Sequence, residues 1–464
     1  MEKSMRRAVK SMAACGVLIL ACLLPGAPVF GAEQEGYTRE PVDLRTEDGV
    51  NLLAIKYSSG AKNPRWGCVI MHPAGDSRRD WRLPYFARAG VVGIGMSSRY
   101  LNDVAHEFYE PIMLDIAAAV KYLREVEHVE KVFLVGHSGG GSLMTFYAHQ
   151  SSRKPGDRSR TPVSGNPQDW KLLGYERTPD IASVVRPMPD LNQYQLPPVD
   201  LLILSSAHYG AGWALVRKID PAVTDEDDPV FCDPSLDMYN PANGFKTPPQ
   251  SSKYSTEFLE RYRKGQEERA RRLVKQAQSY IDDKRFHARL MSQPGFKDLP
   301  PYQQIQITRK AITQRYMILS RLLAIPNFTD LSIEPSDRIV GSNSTLRPDQ
   351  GNYSIYFHPS FITPESLLSA EGPTSPINIL RQIKEVTIPT LIICGTADMQ
   401  EYRSEREAEL NASGAKTKDL VWIEGANHPY LPLGPKAGDG KQRDRAAAKM
   451  LEFIKRAYPD TLSN

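Results

Sequence analysis

Two blocks of the chain alternate short apolar runs with stretches in which apolar residues recur every third or fourth position. In the first block, Asp48-Gly49 turns the chain into an early strand, Val50 to Tyr57. Cys68-Val69-Ile70-Met71 is a short apolar strand running into His72-Pro73-Ala74-Gly75, and Val91 to Met96 is another. Ile112, Ile116, Val120 and Leu123 have helical spacing. Lys131 to Val135 then predicts a strand that turns at Gly136-His137-Ser138 into a helix through Ser142 to Tyr147, and Val199 to Leu204 predicts a further strand. The second block has a helix near Ile379 to Ile383, the strand Thr390 to Cys394, a helix from Arg403 to Leu410 and the strand Leu420 to Ile423. Its last helix, Arg443 to Tyr458, buries Met450, Leu451, Ile454 and Ala457. Fully apolar strands separated by helices predict an α/β fold, with a mainly parallel sheet covered on both faces.

Regularity is lost between the blocks. Residues 211–374 offer one helical pattern through Leu259, Tyr262, Ala270, Leu273, Val274, Ala277 and Ile281, and a second through Ile305, Ile312, Tyr316, Leu319 and Leu323. The first carries Arg269, Arg271, Arg272 and Lys275, expected to form a solvated outer face. Proline follows the same division: of 36 prolines in 464 residues, 24 lie between 155 and 376. Hydrophobic residues at 41% and charged residues at 24% are an ordinary globular mix, which excludes a disordered, collagen-like or multi-span membrane chain.

Charge is concentrated at the start. Of the formal +4, residues 1–32 supply +3, from Lys3, Arg6, Arg7 and Lys10 against Glu2. The remainder is close to neutral and gives nucleic acid no concentrated basic patch. A basic segment, the apolar run Met12 to Leu24 and small residues up to Gly31-Ala32 read as a cleavable export signal, shorter than a membrane span. The protein is therefore expected to be exported to the periplasm or beyond the cell, with no stable membrane span after cleavage; a retained signal anchor, or a lipid anchor on Cys22 after Ile19-Leu20-Ala21, is the alternative. Cys68, Cys232 and Cys394 would remain; an odd count is no disulfide framework.

The chemistry centres on Gly136-His137-Ser138-Gly139-Gly140, a G-x-S-x-G between an apolar strand and a helix. A tight strand-to-helix turn of this kind holds a serine hydroxyl above a sheet, and its backbone needs small neighbours. A serine needs a base, and the base an orienting carboxylate, following in the chain order Ser, acid, His. Asp398, in Gly395-Thr396-Ala397-Asp398, and His428, in Gly425-Ala426-Asn427-His428, stand just past consecutive late strands. Glu424 lies at a strand end but only four residues before the histidine, and His137 is expected to point away from Ser138. Two N–H donors must meet the oxyanion. Gly139 supplies one, and Ala74 or Gly75 the other, since Pro73 has no N–H. Trp81 either walls this site or packs a helix.

These motifs resemble the α/β-hydrolase superfamily over residues 41–210 and 375–460, with residues 211–374 inserted as a cap or lid after the sixth strand. The resemblance implies an α/β-hydrolase fold with a mostly helical or irregular cap. It also implies a catalytic triad of Ser138, Asp398 and His428. His72-Pro73 stands where many members have His-Gly, so the choice between Ala74 and Gly75 stays open. The expected activity is hydrolysis of small-molecule or lipid-like carboxylic esters through an acyl-enzyme, without cofactor or metal. An amidase or peptidase on the same triad, and a catalytically silent ligand-binding protein, are the alternatives. Trp213, Phe231, Tyr239 and Phe245 are candidates to line a pocket under the cap or to form its core.

Overall fold

The computed structural model describes residues 36–159, 189–354, 361–373 and 375–459. The export segment and much of the proline-rich excursion before the sixth strand lie outside these residues. Eight strands form the main sheet: β1 (Thr38–Arg45), β2 (Asn51–Ser58), β3 (Trp66–Ile70), β4 (Val92–Met96), β5 (Lys131–His137), β6 (Leu201–Ser205), β9 (Thr390–Gly395) and β10 (Lys418–Ile423). The two-residue strands β7 (Met317–Ile318) and β8 (Phe361–Ile362) pair separately. The main order is β1-β2-β4-β3-β5-β6-β9-β10, antiparallel at β1–β2 and β2–β4 and parallel from β4 to β10.

Alternation along the strands explains both coats of helices. Val132 and Leu134 of β5, Leu202 and Leu204 of β6 and Ile392 of β9 enter the core on one face, with helices α2 (Tyr109–Glu125) and α3 (Gly139–Ser152). Phe133, Val135, Leu201, Ile203, Leu391 and Ile393 point to the opposite core, beneath α1 (Arg82–Arg88) and α7 (Gln442–Ala457). Successive side chains on a strand face opposite sides, so a strand covered twice must be apolar throughout. Each fully buried Leu, Ile or Phe contributes about 1.5–3 kcal/mol. Cys68 and Cys394 are free thiols in these cores, and burial pushes both well above the usual thiol range.

The chain order sets the position of the site. From β3 it runs outward to β4, then returns across to β5 on the other side of β3. The connections leaving β3 and β5 therefore diverge, and open a crevice beyond their carboxyl ends. The β3 loop from Met71 and the turn at Ser138 meet there.

Between β6 and β9 the chain forms its own core. Helix α4 (Ala211–Lys218) is followed by the long α5 (Thr256–Met291), which starts where the Ser255 hydroxyl accepts from the Phe258 N–H at 3.1 Å, and by α6 (Pro301–Ile312). Leu273, Ala277 and Ile281 of α5 pack with Leu215, Ile219, Met317, Leu319 and Ile362. Two expectations change here. The second helical pattern stops at Ile312: Met317 and Leu319 are buried while Tyr316 and Ile318 are exposed, a strand's period of two, because this segment pairs with β8. Arg269 is fully buried rather than on the outer face, since Glu226 binds its guanidinium at 2.6 Å and the Asp220 carbonyl accepts a hydrogen bond from it. Phe231 is exposed and is not part of the core of this segment.

Candidate active site

Five adjacent strands, β3, β5, β6, β9 and β10, each deliver one side chain to the same edge. They are His72, Ser138, His208, Asp398 and His428. Ser138 sits between β5 and α3 with φ 55° and ψ −123°, a conformation unfavourable for any residue with a Cβ. Its surroundings hold it there. Its N–H lies 3.1 Å from the carbonyls of both Ser205 and Ser206, and its carbonyl accepts from Gly141 and His208. Small neighbours are obligatory: a Cβ on Gly136 would lie 2.3 Å from the Gly140 carbonyl oxygen, and one on Gly140 2.6 Å from that of Met71.

Asp398 Oδ2 lies 2.8 Å from His428 Nδ1, and its Oδ1 accepts from the backbone N–H of Gln400 at 2.9 Å and of Glu401 at 3.2 Å. Burial acts to raise the Asp398 pKa, but His428 and the two N–H donors outweigh it and hold the carboxyl below its ordinary value. An ionised Asp398 fixes the Nδ1–H tautomer of His428 and leaves Nε2 as an acceptor. Glu424 is turned away into an exposed ion pair with Lys436 at 3.3 Å. The ring centroid of His137 lies 4.7 Å from that of His428. Beneath it the fully buried Arg82 bonds Ser205 Oγ at 2.7 Å and pairs with Asp80 at 2.8 Å. Trp81 packs on Tyr430 and under the Arg82 guanidinium.

The loop after β3 differs from expectation in detail. The N–H groups of Ala74 and Gly75 both point at His72 Nδ1, at 3.3 and 3.0 Å. The other ring nitrogen, Nε2, comes within 2.9 Å of where a Cβ on Gly139 would stand, with His208 Nε2 at 3.2 Å from that point. Sequence places His72 in the loop expected to supply an oxyanion donor but assigns no role to either imidazole. The signal for them is positional, since each stands within three residues of the end of a strand flanking β5, and the flanking is known only from the sheet order.

Burial holds His72, His137 and His208 below the ordinary histidine value, His72 at about 4, and a proton on nearby His428 would lower all three further. In the unfolded chain each titrates near 6.5, so as pH falls from 6.5 the unfolded state gains protons the native state refuses, and stability is lost. Burial raises Glu371 to about 7 and Glu409 to about 8, which works in the opposite sense. A difference measurement isolates His72. The stability advantage of the native protein over His72→Gln is expected to shrink between pH 7 and pH 4.5, by at most ~1.4 kcal/mol per pH unit. Paired urea titrations at each pH test it, and a constant difference would contradict a His72 held neutral in the fold.

An eight-stranded sheet in this order, with a strained serine turn after β5 and an acid and a histidine after the last two strands, matches the architecture the motifs resemble. The chain has the α/β-hydrolase fold. Similar solved structures include the α/β hydrolase GrgF from Penicillium sp. sh18, 14% identical with a TM-score of 0.44, covering 90% of this chain and 99% of that one. The Pyrococcus furiosus esterase Pf2001 is 11% identical with a TM-score of 0.39, covering 93% and 96%. Est1E from Butyrivibrio proteoclasticus is 12% identical with a TM-score of 0.39, covering 89% and 98%. No protein-family model and no curated protein sequence matches the chain.

In this α/β-hydrolase fold a cavity of about 660 Å³ lies between α4, α5 and the main domain, walled by Trp213, Arg217, Gln266, Asn327 and Glu405 among others. Ser138, Asp398 and His428 are not among its walls. Among the described residues, no group of three His, Cys, Asp or Glu side chains could hold a metal ion, and no helix is long and apolar enough to cross a membrane.

Proposed function

We propose that the protein is an exported serine hydrolase that cleaves carboxylic esters through an acyl-enzyme. The observation that carries this reading is the 2.8 Å bond between Asp398 and His428 at the sheet edge where the strained turn presents Ser138. Ser138 Oγ attacks the acyl carbonyl as its proton passes to His428 Nε2. His428 then returns that proton to the departing alcohol, leaving the acyl group on Ser138. Water attacks the acyl-enzyme with His428 again as base, and the carboxylic acid and free serine are regenerated. Asp398 orients the imidazole and stabilises its protonated form. The basic and apolar start of the chain supports export, and the insertion after β6 is the natural place for acyl and alcohol selectivity.

Labelling with a fluorophosphonate tests the reading directly, because the probe phosphonylates only a serine activated by its base. Mass spectrometry of the labelled protein is expected to find the adduct on Ser138. A folded protein that never takes the label is a ligand-binding protein instead. Turnover of p-nitrophenyl acyl esters against the matching anilides separates esterase from amidase. Esters are expected to be cleaved faster by at least two orders of magnitude, and comparable rates would move the assignment to amide bonds.

A further inference from the structure

His72 has two ring nitrogens with different surroundings. Nδ1 is approached by two backbone donors, the N–H groups of Ala74 at 3.3 Å and Gly75 at 3.0 Å. A nitrogen that accepts hydrogen bonds carries no proton, so the proton of the neutral ring is on Nε2. That Nε2–H faces Gly139, 2.9 Å from the position a Cβ would take on the residue following Ser138. Gly139 opens helix α3, so its own N–H has no carbonyl partner within the helix and is free for an anion.

Resting on the serine-hydrolase reading above, we propose that the oxyanion is held by the Gly139 N–H and the Nε2–H of His72, not by the backbone N–H of Ala74 or Gly75. Those two amides hold the imidazole in place. For either to serve the oxyanion it would have to abandon Nδ1, releasing the ring that closes over Gly139. Pro73 reinforces the arrangement: it contributes no N–H, and its carbonyl is tied by the Ser98 hydroxyl. The donor is preorganised, as transition-state stabilisation requires. Low basicity, with a pKa of about 4, keeps His72 neutral at working pH, so the ring donates a hydrogen bond without adding a charge beside His428.

Two substitutions divide the ring's functions. His72→Asn keeps an acceptor where Nδ1 stands and so retains the Ala74 and Gly75 bonds, but lacks the distal donor. His72→Gln places an N–H₂ where Nε2 stands and loses the acceptor. With a p-nitrophenyl ester, His72→Asn is expected to lower kcat by 10²- to 10³-fold with KM within about threefold, the usual loss of one oxyanion donor. His72→Gln is expected to stay within about tenfold of the native kcat. A folded His72→Asn with native kcat overturns the proposal. Should that variant fail to fold, His72→Gln against His72→Met takes its place, since both lose the acceptor and only Gln can donate. Gln faster than Met by tenfold or more supports the role, and equal rates overturn it. Failure of the native protein to label at Ser138 would instead remove the serine-hydrolase reading itself.

Discussion

Ser138→Ala is expected to lower kcat for an ester substrate by at least ~10⁴-fold while changing folding stability by no more than about 0.5 kcal/mol. The kinetic loss follows from removing the atom that, in the proposed mechanism, forms the acyl bond. The stability expectation follows from what the hydroxyl does in the fold, which is little: the Ser138 side chain makes no capping bond to α3, and the turn is held by backbone groups of Ser205, Ser206, Gly141 and His208. Alanine inherits the same strained backbone. Ser138→Gly sharpens the test, because it removes the hydroxyl and the strain together. It should lose the same activity yet gain on the order of 1 kcal/mol of stability. Kinetics and denaturant unfolding of both variants check this. Retained turnover in either would transfer the reaction to another serine. Ser205 and Ser206, whose carbonyls accept from the Ser138 N–H, are fully buried, with Ser205 Oγ bonded to Arg82 and Tyr430.

The contrast between what the sequence discloses and what it conceals follows the range of the interactions. Strands β3, β5, β6 and β9 are readable because burial on both faces demands an unbroken apolar run. The Ser138 turn is readable because its backbone tolerates only small residues, and Asp398 and His428 because each stands within five residues of the end of an apolar run, in β9 and β10. β1 (Thr38–Arg45) escapes notice because an edge strand with mostly exposed residues has no burial to enforce a pattern. Met317 to Leu319 imitates a helix at coarse spacing until its partner Phe361–Ile362 is known. Arg269 reads as one of a run of surface cations, and only the distant Glu226 shows that it faces inward. The β3 loop is the most instructive case. Its residues end at the same sheet edge as Ser138, but sequence cannot show that the Ala74 and Gly75 amides turn toward His72. Contacts between groups far apart in the chain decide the Met317–Leu319 and Arg269 cases, whereas the β3 loop turns on a local backbone conformation that the residue types alone leave open.

Asp398→Asn should cost about 10⁴-fold in kcat with little change in KM, although the replacement has nearly the same shape. Asp398 Oδ1 accepts from the N–H groups of Gln400 and Glu401, so the Asn side-chain oxygen settles there, and its NH₂ is left facing His428 Nδ1. A donor at that place can be met only if Nδ1 becomes the acceptor, which moves the imidazole proton to Nε2. His428 then offers Ser138 a hydrogen where it must offer a lone pair. The mechanism also fixes a pH signature. Hydroxide can replace the missing base, so residual activity in Asp398→Asn should rise with pH beyond the plateau of the native protein, whereas Ser138→Ala should show no such rise. Stability responds separately. Because the native Asp398 carboxyl titrates below its unfolded value, it stabilises the fold above that unfolded value and the contribution disappears as pH falls through the native one. Asp398→Asn removes that dependence, so its stability deficit should be largest near pH 7 and narrow below about pH 4. A variant with unchanged kcat, or one whose deficit widens in acid, would show that His428 takes its orientation from another group.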